Sequence, residues 1–144
     1  MTSISFHLNA QNRVHYACRL LRKAVRQGAQ LMVTGSSETL EQLDHALWNL
    51  SATEFLPHCD THAEKRVLDK SPIVLSTQAQ AIPNKPILLN LGDDVPTSFT
   101  QFERIIEIVS TDENDKKLAR QRWKHYVGLG YTPQQHDLNA GNPA

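Results

Sequence analysis

With 144 residues and a mass of 16.2 kDa, the chain can hide roughly 70% of its extended surface, enough for one hydrophobic core without disulfide or metal staples. Hydrophobic residues make up 40% and charged residues 21%, which excludes a disordered chain and a collagen-like repeat, and two cysteines, Cys18 and Cys59, are too few for a disulfide framework. The 15 basic residues balance the 15 acidic ones, so bulk charge offers nothing to nucleic acid or an anionic membrane and any electrostatic role has to be local.

The first seven residues carry no basic segment leading into an apolar stretch, and no apolar run approaches the roughly 18 residues that span a bilayer. Together with the sparse cysteines, this predicts a cytoplasmic protein in a reducing compartment, without a membrane segment. Residues 4–8 alternate apolar and polar side chains, the mark of a strand with one buried face. After a turn at residues 9–12, Val14, Ala17, Cys18, Leu21 and Val25 recur at helical spacing, with Arg19, Arg22, Lys23 and Arg26 on the opposite face and Gly28 as a stop. Residues 30–34 read as a second strand. Gly35, Ser36, Ser37 and Glu38 then supply a turn, an N-cap and an early acid for a helix whose buried stripe is Leu40, Leu43, Leu47 and Leu50.

Residues 51–71 read as a long ordered loop. The short apolar runs 72–76 and 86–91, bounded by Pro and Gly, suit buried strands of a parallel or mixed sheet, and the β-branched run 104–109 predicts a last strand. Asp112, Glu113 and Asp115 open a final helix that carries its bases later, as the helix dipole favours. The order of elements predicts an α/β single-domain, three-layer fold: a mostly parallel central sheet with helices on both faces.

Several motifs invite a chemical reading. Gly35-Ser36-Ser37 lies where a phosphate could meet free backbone N–H groups, yet neither a dinucleotide-type glycine series nor a phosphate loop is present, and a capped turn accounts for it. His58-Cys59-Asp60-Thr61-His62 lacks the further ligands a metal needs and any thiol-protease signature. Asp93-Asp94 is at least as well suited to turn formation as to Mg²⁺. The sequence therefore points to no catalytic residue, no metal and no cofactor.

The final helix is more informative. At about 100° per residue, Leu118, Arg122, His125, Tyr126 and Leu129 share one arc, with Leu118, Tyr126 and Leu129 expected inside and Arg122 extending its head outward. Lys116, Arg120, Trp123 and Lys124 share the opposite arc. An indole among cations either captures a short acidic peptide ending in an aromatic residue and a free carboxylate, or packs against a neighbouring loop beside an ordinary basic face. Trp48 raises a similar question, lying about 80° off the leucine stripe of its helix. With Phe55 it either closes the core over the loop or offers an apolar patch to a partner.

Asp44-x-Ala46-Leu47-Trp48, then Glu54-Phe55-Leu56-Pro57-His58, then Lys117-Leu118-Ala119-Arg120-x-Arg122-Trp123-Lys124-x-Tyr126 with Gly130-Tyr131, together resemble the chi subunit of bacterial DNA polymerase III holoenzyme. The resemblance covers residues 1–131, which it makes a single chi-like domain, Rossmann-like without a phosphate-binding loop. Residues 132–144 are then read as a flexible tail. It implies a non-enzymatic accessory protein of the clamp loader in DNA replication. Such a protein binds the psi subunit and the acidic C-terminal tail of single-stranded-DNA-binding protein, and meets DNA only indirectly. Carried over, the tail site falls on Lys116, Arg120, Trp123 and Lys124, although relatives usually have tyrosine at the position of Trp123. The psi surface falls on Trp48, Phe55, Pro57 and His58. Two other readings compete: a direct single-stranded nucleic-acid binder using its basic helices, and a small nucleotide-binding enzyme built around Gly35.

Overall fold

A computed structural model of the chain describes residues 2–49, 58–60, 71–78, 84–96 and 98–138. Among the described residues seven strands form one sheet: β1 (Ser3–Ala10), β2 (Leu31–Thr34), β3 (His58–Asp60), β4 (Ile73–Ser76), β5 (Ile87–Asn90), β6 (Arg104–Ser110) and β7 (Gln134–Asp137). They lie in the order β3-β4-β2-β5-β6-β1-β7, and every neighbouring pair is parallel. Among the described residues three α-helices accompany them: α1 (Arg13–Arg26), α2 (Ser37–Trp48) and α3 (Glu113–Gly128).

The handedness of parallel crossovers decides which face each helix takes. The steps from β1 through α1 to β2, and from β2 through α2 to β3, travel one way across the sheet, so α1 and α2 share a face. The step from β6 through α3 to β7 travels the other way, which puts α3 on the opposite face. Side-chain alternation along the strands supplies both cores. Leu31, Val33, Ile73, Leu75, Leu89, Ile106 and Ile108 pack with Ala17 and Leu21 of α1 and Leu43 and Leu47 of α2. Ile4, Phe6, Met32, Val74, Leu88, Ile105 and Val109 pack with Ala119 and Tyr126 of α3 and with Phe99 and Phe102, which open and cap a short 3-10 turn.

Each helix begins on a side-chain cap. Asn12 accepts from the His15 N–H at 3.0 Å, Ser36 from Thr39 at 3.1 Å and Asp112 from Asp115 at 3.0 Å. Gly28 just beyond α1 and Gly130 just beyond α3 have φ of +82° and +94°, the left-handed conformation that glycine adopts without steric cost.

The fold differs from the sequence reading in three respects. Residues 134–137, assigned to a flexible tail, form the edge strand β7 beside β1, so β6 is not the last strand. β7 is exposed along its whole length, and a strand with no buried face carries no apolar alternation to read. Within the expected loop, residues 58–60 form β3; the rest of 51–70, together with Leu50, lies outside the described residues. In α3, only Tyr126 of the three residues expected inside is buried. Leu118 is half-buried and Leu129 is 54% exposed. The buried stripe is instead Asp115, Ala119, Arg122 and Tyr126, because a polar partner waits beneath it.

Candidate peptide-binding groove

That partner is Glu107, at the centre of β6 and fully buried. Arg122 Nε donates to its carboxylate at 3.1 Å, Tyr126 Oη at 2.7 Å, and Asn90 Nδ2 at 3.0 and 3.1 Å. Arg122 also donates to the Asp93 carbonyl at 3.0 Å. Its guanidinium thus points inward, contrary to the outward extension expected, since a carboxylate taken out of water needs a cation and donors around it. Burial pushes the Glu107 carboxyl above its ordinary range and Arg122 opposes that rise. Burial and Glu107 both push the Tyr126 phenol up, which keeps it a donor. The network fixes the rotation of α3 about its own axis, and that rotation sets what the helix shows to solvent.

What it shows is one wall of a cavity of about 340 Å³ between α3 and the β1–β7 end of the sheet. Lys116, Arg120, Trp123 and Lys124 all line it, spaced so that they follow one side of the helix. Phe6, Leu8, Val109 and Ala119 form an apolar floor, and Asn9 and Gln135 complete the rim. Trp123 is half-buried, its ring tilted 58° over Phe6 with centroids 5.1 Å apart. The indole therefore neither sinks into the core nor stands free; it walls the groove. Among the described residues no carboxylate lines this cavity. Three cations around an apolar floor, with no internal acid to neutralise them, suit an anionic ligand that also carries an apolar group.

The other sequence candidates are placed differently. Trp48 stands at the end of α2 and is 57% exposed. Phe55 and Pro57 lie outside the described residues, and for His58 and Cys59 only the strand backbone of β3 is described. Gly35, Asp93 and Asp94 line a cavity of about 490 Å³ at the carboxyl ends of β2, β4 and β5, where open α/β sheets commonly bind ligands. Here its polar groups answer one another: Asn90 Oδ1 accepts from the Gly92 N–H at 2.8 Å and Asn90 Nδ2 donates to the Asp94 carbonyl at 3.1 Å. A Cβ on Gly35 would come within 3.3 Å of that of Leu91, so glycine lets the two loops approach without crowding. Among the described residues no group of three or more His, Cys, Asp or Glu is placed to hold a metal ion, and no helix is long and apolar enough to cross a membrane.

The family model for the DNA polymerase III chi subunit, HolC, matches residues 1–134. The chain belongs to the DNA polymerase III chi subunit family. It is 29% identical over 143 residues to the DNA polymerase III subunit chi of Pseudomonas aeruginosa, covering 96% of this chain and 98% of the relative. It is 26% identical over 116 residues to the Escherichia coli subunit, covering 79% and 78% of the two chains. Among solved structures, the C-terminal domain of S. cerevisiae Dbp5 superposes with a TM-score of 0.56 at 10% identity, covering 94% of this chain and 90% of that one; that likeness concerns the fold alone. Family membership makes the chain a DNA replication accessory subunit.

This chi-family chain also carries a histidine cluster that the sequence did not reveal. His7 of β1 lies opposite His136 of β7, ring centroids 5.0 Å apart, and its Nδ1 meets the Tyr16 hydroxyl. Its Nε2 is buried without a partner. Burial, then His136 and Arg104, lower the His7 pKa from 6.5 to about 4. As the pH falls from 6.5 towards 4 the unfolded chain takes up a proton that the folded one refuses, so stability present above pH 6.5 is progressively lost. The loss is on the order of 1 kcal/mol by pH 5, allowing for partial solvent contact. Thermal melts at pH 7.5 and 5 should show it, and His7→Gln should flatten the difference.

Proposed function

We propose that the chain is a non-catalytic, cytoplasmic subunit of the bacterial clamp-loader assembly that joins the psi subunit to the acidic C-terminal tail of single-stranded-DNA-binding protein. The observation that carries this reading is the groove: three cations and an indole on one helix face above an apolar floor, with no lining carboxylate. Arg120 and Lys116 hold the tail's carboxylates, Arg120 in bidentate fashion on the terminal one, while Trp123 flanks the terminal aromatic ring and Lys124 adds charge. The psi subunit takes a second surface, which carries Trp48, Phe55, Pro57 and His58. The exposed indole of Trp48 is the described part of that surface, and large exposed aromatics are frequent anchors of protein interfaces.

The experiment is a titration with a fluorescent acidic peptide ending in phenylalanine. The free-carboxylate peptide is expected to bind, to weaken as salt is raised, and to lose roughly tenfold in affinity when its terminus is amidated, the loss of about one charge-assisted hydrogen bond. Equal affinity of the two peptides contradicts the assigned role of Arg120. Binding of an oligonucleotide with a steeper salt dependence than the peptide favours the nucleic-acid reading instead.

A further inference from the structure

The edge strand β7 borders the groove, and its backbone is arranged to receive more than β1. In a parallel ladder, alternate residues direct both N–H and C=O to the same neighbour. Leu138 donates its N–H to the Leu8 carbonyl at 3.0 Å, with Asp137 opposite Leu8, so His136 and Leu138 face β1. Gln135 and Asp137 therefore direct their N–H and C=O groups away from the sheet. β7 ends the strand order, with no strand beyond it among the described residues, and all four of its residues are exposed.

Gln135 connects this edge to the groove. It sits opposite Phe6 in register, and both line the cavity, so the groove opens directly onto the β7 edge. We propose that the residues preceding the anchored end of an acidic peptide leave the groove over Gln135 and pair with β7 as an eighth strand. The proposal rests on the reading of the groove as a peptide-tail site. Charge selects this occupant, because Lys116, Arg120 and Lys124 make the adjoining groove cationic. A second copy of the chain is a poorer match: β7 is four residues long and reads Gln-Gln-His-Asp, offering no apolar side chain to bury and far less contact than a stable dimer needs. A peptide already anchored in the groove needs no such area, since pairing along the edge is then effectively intramolecular. Main-chain pairing would add affinity with little demand on sequence, as suits an acidic segment without fixed apolar positions.

Two peptides test this, both ending in phenylalanine with a free carboxylate: one of about four residues that fills only the groove, and one of about ten that reaches the edge. Gln135→Pro removes an outward N–H without touching the ladder to β1, a placement edge strands tolerate, while Gln135→Ala removes the side chain and keeps the N–H. The long peptide is expected to bind Gln135→Pro about fivefold more weakly than Gln135→Ala, with no such difference for the short one, the loss of about one net hydrogen bond. Should proline loosen β7 itself, amide exchange in the wild-type chain decides: the outward Gln135 amide is expected to gain protection with the long peptide only. Equal long-peptide affinities and unchanged exchange at the Gln135 amide overturn the eighth strand. A dimer held through β7 in sedimentation, disrupted by Gln135→Pro, also overturns it. If neither peptide binds the wild-type chain, the groove reading itself fails.

Discussion

Glu107→Leu is expected to destabilise the chain by about 3–5 kcal/mol, the magnitude typical of removing one partner from a buried ion pair. The change strands Arg122, 2% exposed, without its carboxylate, and leaves the Tyr126 hydroxyl and the Asn90 amide without their shared acceptor. Arg122→Met is expected to cost less, because Glu107 keeps the tyrosine and the amide as donors and its already raised carboxyl can take a proton. Glu107→Leu combined with Arg122→Met should recover most of the loss, since two apolar side chains replace two paired charges. Urea unfolding of the four chains measures the coupling directly. Strictly additive losses would show that the two side chains do not act as a pair. The destabilised variants should also bind acidic peptide less well, because the rotation of α3 that turns Trp123 over Phe6 rests on this anchor.

Arg120→Ala is the corresponding change on the outer face. The expected loss in affinity for an acidic, phenylalanine-ended peptide is about tenfold to a hundredfold, from removing charged hydrogen bonds worth about 1.5–3 kcal/mol. Arg120→Lys should recover only part of it, because an ammonium keeps the charge and loses the planar fork. Arg120 is exposed, so neither change should move the unfolding midpoint appreciably, which separates this test from the one on Glu107. Unchanged affinity in Arg120→Ala would remove the guanidinium from the account.

The sequence revealed those elements whose burial leaves a period. β1 has one apolar face, β4 and β5 are short apolar runs, and α1 has an apolar stripe opposite its bases; each could be read from spacing. β7 could not, because Gln134, Gln135, His136 and Asp137 are exposed on both faces and are held by backbone pairing to β1. At the site, the spacing of Lys116, Arg120, Trp123 and Lys124 placed them on one side of α3. The rest of the groove was out of reach, because Phe6 and Leu8 of its floor, Val109 beside them and Gln135 on its rim come from three strands whose adjacency is a matter of topology.

The inward turn of Arg122 did leave a trace. Glu107 sits inside Ile105-Ile106-Glu107-Ile108-Val109, and a carboxylate in a strand buried on both faces calls for a cation from the element packed over it. With Glu107 weighed, Arg122, one turn from Tyr126, becomes the natural candidate and the buried stripe of α3 shifts towards it.

The central claim is that an acidic tail seats against Trp123 and its neighbouring cations. The chain has two tryptophans, Trp48 and Trp123, at separate places in the fold, so their indole N–H signals in a nitrogen–proton correlation spectrum report on the two proposed surfaces independently. Titrating the phenylalanine-ended acidic peptide into labelled wild-type chain is expected to shift the Trp123 indole progressively to saturation and to leave the Trp48 indole in place. A titration that saturates with the Trp123 signal unmoved, or that shifts Trp48 instead, would contradict the account.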